Sequence, residues 1–175
     1  VRDLASVFAS PLGLIYNLSL KTNEFPNDFS RAFDCVNHSL LLVKLESFGC
    51  CPKLIDFFKS YLNHRSSYVS YNGFDSDCFD VKSGVPQGSN LGPLLFNIYL
   101  NDIFDRLFYN ALGYADDLKI YNVIDDAADC NYLQNQLQII VQWCLGNGLH
   151  LNVSKCNVVT FTEKSEPIVY DYNTN

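Results

Sequence analysis

The stretch "LGYADDLKIY", residues 112–121, places two adjacent aspartates between two short apolar runs. Both runs contain aromatic or aliphatic residues typical of strands, so the pattern predicts a tight hairpin with Asp116 and Asp117 at its turn. On a surface turn, water would solvate both carboxylates. Beside a core, the two charges would repel each other unless a cation compensated them, and Mg²⁺ prefers such oxygen ligands. These residues alone leave both interpretations open.

The composition of the 175-residue chain fits one globular domain with a sizeable core, with 48% hydrophobic and 18% charged residues. The net charge is −7, with only 12 lysines and arginines. This sign is unfavourable for binding nucleic acid by phosphate neutralisation, so such binding must rest on local residues or metal ions. The chain contains no methionine, which suggests a fragment. It also lacks an apolar run near the roughly 20 residues that span a bilayer, so no membrane association is expected.

The seven cysteines are an odd number and form no C-x-x-C pair, and the three histidines supply no zinc-site spacing. We therefore expect mostly buried, reduced thiols. Reduced thiols favour an intracellular protein, in the nucleus or cytoplasm and not secreted.

Helix starts are predicted where a capping residue or proline precedes apolar residues at helical spacing. Ser10-Pro11 predicts a short helix through about Leu20, and Asp125 is the predicted cap of a long helix that ends near Gly146. The other predicted helices are "HSLLLVKLESF" after Asn37, "PKLIDFFKSYL" from Pro52 and "LLFNIYLNDIF" from Leu94.

Further strands are predicted around Asn72-Gly73, a dipeptide that favours a two-residue hairpin turn. The runs "LHLN" and "CNVVTF" are predicted to pair with each other, and the polar tail from Thr162 is expected to be loose. Together the patterns predict one α+β domain.

The loop "SGVPQGSNLGP", residues 83–93, precedes the helix that starts near Leu94. Its glycines let a backbone approach a planar ligand, and the Gln87 amide could hydrogen-bond a base or sugar. The loop could equally be an ordinary helix entrance built from turn residues.

Four motifs, in this order, carry a resemblance to reverse transcriptases, and most of all to the LINE-type enzymes of non-LTR retrotransposons. They are "DFSRAFDCVNHSLLLVKLESFG", "SGVPQGSNLGPLLFNIYLNDI", "GYADDLKIY" and "WCLGNGLHLNVSKCNVVTF". The resemblance covers Asp28 to Phe161. It is specific, because four separate motifs agree in order and spacing.

The resemblance implies an α+β polymerase palm over residues 28–161, with an antiparallel sheet packed on the helices around 92–105 and 125–145. Residues 1–27 resemble a segment that lies well upstream in the family, so they are expected to be a remnant of the fingers side. The chain is thus expected to be joined near Pro26-Asn27, with the fingers largely missing and no thumb. The central strand that delivers the first catalytic aspartate would be lost, leaving a gap in the sheet, and residues 162–175 would form the loose tail.

The resemblance also implies roles for individual residues. Asp28, Asp116 and Asp117 resemble the carboxylates that hold two Mg²⁺ ions, with Mn²⁺ as a substitute. Phe33 resembles the aromatic under the incoming sugar, and Gln87 and Gly88 match the loop that lines the nucleotide and template site. Lys155 resembles a lysine that assists pyrophosphate departure, although a solvated surface lysine is an equal alternative.

Two further residues are expected to be structural. Asp34 is predicted to accept a hydrogen bond at the start of the following helix, and Trp143 is predicted to lie in the core of the long helix.

The implied function is RNA-directed DNA polymerisation with an RNA template, a DNA primer and dNTPs. The alternative is a catalytically dead palm remnant with at most weak RNA or protein binding, favoured by the junction and the acidic charge. A metal-binding or interaction module unrelated to nucleic acid would require the four motifs to match by coincidence.

Overall fold

The computed structural model describes residues 12–21, 31–107, 111–162, 165–166 and 168–174. Its helices are α1 (Arg31–Asp34), α2 (His38–Ser47), α3 (Pro52–Leu62), α4 (Gly92–Phe104) and α5 (Ala127–Gly146). Its strands are β1 (Leu12–Lys21), β2 (Ser66–Ser67), β3 (Ser70–Tyr71), β4 (Phe74–Asp75), β5 (Phe79–Asp80), β6 (Ala111–Tyr114), β7 (Asp117–Asn122), β8 (His150–Leu151) and β9 (Asn157–Thr162). The predicted combination of helices and antiparallel strands is confirmed.

Strand β1 lies in the middle of the main sheet, between β7 on one side and β8 and β9 on the other. Its pairing with β7 is antiparallel and runs from Leu14 opposite Asn122 to Ser19 opposite Asp117. Strand β6 pairs with the far side of β7. The hairpin with the adjacent aspartates is therefore one edge of a sheet whose centre is supplied by the N-terminal part of the chain.

The helix predicted from Ser10-Pro11 is wrong, because Leu12–Lys21 is a strand. From Leu14 onward, even-numbered positions are apolar or aromatic and most odd-numbered positions are polar, which is the period of a strand. Pairing with strands on both sides outweighs a local capping signal. The prediction that the sheet lacks its central strand is wrong for the same reason.

The predicted pairing of "LHLN" with "CNVVTF" is also wrong, although both runs contain strands. Strand β9 pairs with β1 from Leu12 opposite Thr162 to Asn17 opposite Asn157. Strand β8 pairs with the end of β1, at Leu20 and Lys21. Both strands therefore add to the same edge of β1 instead of forming a hairpin of their own.

The ends of helix α2 follow their sequence signals. The Asn37 side chain accepts a hydrogen bond from the Leu40 N–H at 3.0 Å, as an N-cap should. Gly49 follows the helix with a φ of 81°, a left-handed conformation that glycine adopts without steric cost.

Helix α5 is capped by Asp126, and the prediction of Asp125 is wrong by one residue. The Asp126 carboxylate accepts from the N–H groups of Ala128 and Asp129, at 2.7 and 3.2 Å. The Asp129 side chain accepts in return from the Asp126 N–H at 3.2 Å, which completes a capping box. The reciprocal hydrogen bonds identify Asp126 as the cap. The sequence does not distinguish it from Asp125, because the two adjacent residues are of the same type.

The Asn72-Gly73 hairpin is confirmed. These residues join β3 to β4 with φ values of 50° and 80°, as a two-residue turn with both central residues in the left-handed region requires. Strands β2 and β5 pair beneath it, and every residue from 66 to 80 is exposed. The hairpins thus form an arm outside the core.

The core lies between the helices and the sheet. Its largest fully buried side chains include Trp143, Tyr99, Phe96, Leu95, Leu137 and Leu133. Trp143 is 2% exposed, which confirms its predicted place in the core.

All seven cysteines lie in the described part of the chain, and none of them forms a disulfide there. Cys130 and Cys144 are buried, whereas Cys51 and Cys78 are exposed, so the prediction of mostly buried thiols is only partly correct. Burial, with a smaller effect of the Cys156 thiol, raises the pKa of Cys144 to about 12.

Residues 168–174 lie against α5, so the expectation of a loose tail is wrong for this segment. The Gln134 side chain donates to the Asn173 carbonyl at 2.7 Å and accepts from the Asn173 N–H at 3.0 Å. The Tyr170 hydroxyl donates to Asn131 at 2.9 Å.

None of the described helices combines the length and apolar character that a membrane span requires.

Candidate functional site

The adjacent aspartates lie where β6 meets β7. Tyr114 pairs with Asp117, so Ala115 and Asp116 are the two central residues of the turn. The predicted hairpin is confirmed, but its turn lies one residue earlier than predicted, because Asp117 is the first residue of β7. Ala115 has a φ of 51°, in the left-handed region, which costs a non-glycine residue about 1–2 kcal/mol. Strain of this kind persists where the surrounding structure fixes the backbone, and it is concentrated at functional sites.

The turn rests on α4 and α5. Gly113 faces the Phe104 ring so closely that an added Cβ would lie 2.6 Å from Cζ. A cavity of about 10 Å³ lies beneath the turn, bordered by the turn residues and by Leu100, Ile103, Phe104, Leu118 and Trp143. Asp116 is half-buried and Asp117 is exposed. The turn is therefore held against the core, which is the arrangement in which the two carboxylates would need a compensating cation.

The two carboxylates have the chemistry of ligands for a hard cation. Neither is hydrogen-bonded to, or paired with, another of the described residues. The ion pair found among those residues joins Lys44 to Asp102. Carboxylate oxygens without a cationic partner are the ligands that Mg²⁺ prefers, so Asp116 and Asp117 fit a divalent ion.

The third predicted carboxylate, Asp28, lies outside the described residues. Within the described ranges, no three His, Cys, Asp or Glu side chains are grouped so that they could hold a metal ion. The triad of Asp28, Asp116 and Asp117 therefore stays a prediction. The register adds one fact: Ser19 lies opposite Asp117, β1 ends at Lys21, and Asp28 follows seven residues later.

The loop at residues 83–88 is fastened to residues 33–36, at the end of α1. Three hydrogen bonds join them: Ser83 Oγ to Asp34 O at 2.8 Å, Gly84 N to Val36 O at 2.8 Å and Val85 N to Phe33 O at 2.9 Å. Two motifs separated by about fifty residues thus form one unit, which begins shortly after Asp28.

Gly84 is the centre of this unit. Its φ is 81°, and a Cβ on it would lie 2.6 Å from the Asp34 Cα, so only glycine fits without a shift of the backbone. His38 Nε2 and Arg65 Nη1 both donate to the Gly84 carbonyl, at 2.8 and 3.0 Å. Sequence reasoning missed both donors, because nothing local marks partners that lie 46 and 19 residues away.

Gln87 and Asp34 contact each other in this unit. The Gln87 amide donates to Asp34 Oδ1 at 2.7 Å. Asp34 is therefore a structural acceptor, as predicted, but its donor is the loop and not the following helix, which Asn37 caps. Gly88 has a φ of 75° and open space where a Cβ would lie.

Phe33 is half-buried and stacks on Phe96 of α4, with ring centres 4.0 Å apart and planes inclined by 16°. The same helix supports the aspartate turn through Phe104. Phe104 follows Phe96 by eight positions, so about 12 Å of α4 joins the loop unit to the turn. Helix α4 therefore holds both parts of the candidate site.

Lys155 is exposed and ends a 3₁₀ helix, Val153–Lys155, that contacts β1. Its predicted role in pyrophosphate departure stays a prediction.

Lys44 was not singled out from the sequence, although it ties together the helices under the site. Its Nζ donates to the Tyr99 carbonyl and to Asp102 Oδ1, both at 2.6 Å. It also lies 4.6 Å from the ring centre of Tyr99 and 4.8 Å from that of Trp143. Burial lowers the pKa of Lys44, opposed by the Asp102 carboxylate. This contact cluster joins α2, α4 and α5.

Comparison with known proteins gives a consistent result. A family described as "Reverse transcriptase (RNA-dependent DNA polymerase)" matches residues 26–170. The chain is 34% identical over 146 residues to the RNA-directed DNA polymerase from mobile element jockey of Drosophila funebris, which covers 77% of the chain and 16% of that protein. It is 33% identical over 153 residues to the probable RNA-directed DNA polymerase from transposon X-element of Drosophila melanogaster, covering 82% and 16%. The chain thus spans about a sixth of the length of these relatives.

Solved structures show the same fold at low sequence identity. Apo telomerase from Candida tropicalis matches with a TM-score of 0.63 and 14% identity, over 89% of this chain and 30% of that one. Telomerase from the same organism with a TWJ fragment of telomeric RNA matches with a TM-score of 0.61 and 15% identity, over 86% and 26%.

Proposed function

Because this chain belongs to the reverse transcriptase family, we propose that it is the palm part of an RNA-directed DNA polymerase from a non-LTR retrotransposon. The observation that carries the proposal is the turn of Asp116 and Asp117, two carboxylates without a described cationic partner on a strained hairpin held against α4 and α5. The substrates would be an RNA template, a DNA primer and dNTPs.

Reverse transcriptases generally use divalent metal ions, and we propose two Mg²⁺ ions here, with Mn²⁺ as a substitute. Asp28, Asp116 and Asp117 would supply the carboxylate oxygens. When bound, such ions would activate the primer 3′-hydroxyl and stabilise charge on the leaving group. The protein's part is to hold Asp116 and Asp117 in place, which the two-residue turn and its packing on Phe104 accomplish.

The loop unit would position the nucleotide. Phe33, fixed by its stacking on Phe96, would lie under the incoming sugar. Gln87 donates through its amide nitrogen to Asp34, which leaves its carbonyl oxygen to accept from a base. Gly88 would let the backbone approach the template strand. We propose that Lys155 assists pyrophosphate departure.

We propose residues 28–161 as the palm, with a junction near Pro26-Asn27 and residues 1–27 as a remnant of an upstream segment. The family match supports this boundary because it begins at Pro26. The remnant has nevertheless become part of the fold, since it supplies β1.

A second candidate function is a catalytically dead palm with weak RNA or protein binding. The register of β1 favours it, because the ladder places Ser19 and not Asp28 opposite Asp117. Positioning dominates phosphoryl transfer, so misplacement of one carboxylate would lower the rate greatly.

Primer extension on an RNA template, with Mg²⁺ or Mn²⁺, distinguishes the two functions. Extension by the wild type, lost in Asp116→Asn and retained in Asp125→Asn, would support the polymerase. Asp125→Asn is the matched control, because it removes the same charge from an exposed residue. Extension that survives Asp116→Asn would indicate a contaminating polymerase, and absence of extension in the wild type would support the dead palm.

Metal binding can be followed separately from activity. Trp143 is the only tryptophan and borders the cavity beneath the turn. Mn²⁺ bound at the turn should quench its fluorescence, and Asp116→Asn should weaken that quenching while Asp125→Asn leaves it unchanged. Equal quenching in all three proteins would place the ion elsewhere.

A further inference from the structure

We propose that a second cavity, lined in part by the two residues that donate to the Gly84 carbonyl, binds a phosphate group of a nucleic-acid strand. It has a volume of about 350 Å³ and is lined by His38, Asn63, His64, Arg65, Asp80, Val81 and Lys82. These residues come from the start of α2, the connection after α3, and the end of the arm. The inference rests on the proposed function, since it names a contact of the same nucleic acid.

The charge of the lining favours an anion. Arg65 and Lys82 are the basic residues of the lining, and Asp80 is its one carboxylate. With the histidines neutral, the lining therefore has a net charge of about +1. The whole chain carries −7, so this local excess is the kind of feature that binding to a polyanion requires.

The cationic wall is held in place before any ligand binds. Arg65 Nη1 and His38 Nε2 share the Gly84 carbonyl as acceptor, and the Val81 N–H donates to the Arg65 carbonyl at 2.8 Å. Arginine has five N–H donors in a planar fork, so one bond to Gly84 leaves donors for a phosphate. A fixed guanidinium loses less conformational freedom on binding than a mobile one.

The position of the cavity relates it to the candidate site. Gly84 joins the cavity wall to the loop that carries Gln87. Gln87 follows Gly84 by three positions, so their Cα atoms lie within about 11 Å of each other. A strand that contacts Gln87 could therefore also place a phosphate in the cavity, and each contact would help to fix the register of that strand.

The test uses the full chain and a fluorescently labelled single-stranded RNA, measured by anisotropy in EDTA over a range of salt concentrations. Lys82→Gln changes an exposed lining residue that makes no described side-chain hydrogen bond. Lys53→Gln removes the same charge from an exposed position on α3 outside the cavity. We expect Lys82→Gln to lower the slope of log K against log salt by about 0.7, the value for one phosphate contact with a single strand. The Lys53→Gln slope should equal that of the wild type.

Three outcomes would overturn the proposal. Equal slopes for Lys82→Gln and Lys53→Gln would mean that only overall charge matters. Tight displacement of the RNA by inorganic phosphate would assign the cavity to a free anion. If the wild type did not bind the RNA at 50 mM salt, the cavity could not be a contact for a nucleic-acid strand. Equal melting temperatures would show that the variants are folded. Because EDTA excludes catalysis, the result does not depend on primer extension, and equal slopes or displacement by phosphate would leave the polymerase proposal in place.

Discussion

At the scale of single residues, two glycines with the same backbone conformation differ in their surroundings. Gly84 and Gly73 have φ values of 81° and 80°. A Cβ on Gly84 would lie within 2.9 Å of three backbone atoms of Asp34, whereas one on Gly73 would meet nothing within 4 Å. In the sequence, both glycines simply lie in a turn or loop. Only the packing shows that Gly84 joins the loop at residues 83–88 to residues 33–36.

Gly84→Ala should destabilise the protein by about 3 kcal/mol, because left-handed strain and a backbone clash add together. Gly73→Ala should cost about 1 kcal/mol, from the strain alone. Urea denaturation of both variants measures the difference. Equal losses of unfolding free energy in the two variants would mean that the loop at residues 83–88 can shift at little cost, and that Gly84 does not fix it to Asp34.

Cys144 gives a prediction about alkaline stability. Burial raises its pKa from 9.0 to about 12, so the unfolded thiol ionises at lower pH than the folded one. The resulting stability is fully present below pH 9 and is lost as the pH rises towards 12. The loss amounts to at most about 4 kcal/mol.

Cys144→Ala should therefore show a shallower fall of unfolding free energy between pH 9 and 11 than the wild type, measured by urea denaturation at each pH. The exposed Cys78→Ala variant is the control and should follow the wild type. If all three curves have the same slope, the buried thiol does not govern alkaline stability.

At the scale of elements, the start of α5 shows what local sequence can and cannot decide. The adjacent residues Asp125 and Asp126 are both good caps by type. The carboxylate of Asp126 receives the N–H groups of the first turn, and Asp129 closes the box. A cap is thus predictable from residue type, but its position depends on the direction in which the chain enters the helix.

Asp126→Ala should destabilise the protein by about 1 kcal/mol, the usual cost of a lost N-cap, while Asp125→Ala should change the stability little. Thermal melting followed by circular dichroism measures both. A larger loss for Asp125→Ala would show that the cap lies one residue earlier than the structure places it.

At the scale of the whole molecule, β1 has the greatest effect on the fold. It pairs with β7 on one side and with β8 and β9 on the other, so it joins strands from both ends of the long helix α5. Without β1, the aspartate hairpin would have an open edge. The upstream segment therefore supplies the strand that joins the two sides of the sheet, whatever its origin.

Ile15→Pro tests this arrangement, because proline cannot donate to the ladder and is excluded from central strands. We expect loss of cooperative unfolding and aggregation on size-exclusion chromatography. Ile15→Val, which keeps the N–H and the β-branch, should behave like the wild type. If Ile15→Pro stays monomeric and folds cooperatively, β1 is dispensable and the sheet closes without it.

The sequence by itself determined the features that rest on local chemistry. It predicted the hairpin around Asp116 and Asp117, the Asn72-Gly73 turn, and the helix between Pro52 and Leu62, because turn preferences, caps and hydrophobic period act over a few residues. Its motifs also identified the family. These are interactions between near neighbours along the chain.

The tertiary structure decided which distant segments meet. Leu12–Lys21 became a central strand because β7 and β9 bond to it, and Gly84 receives donors from His38 and Arg65 because α2 and the connection after α3 lie beside it. Likewise, Lys44 lies between the rings of Tyr99 and Trp143 only once three helices have packed. Contacts across tens of residues depend on chain entropy and on competing partners, which no local pattern records.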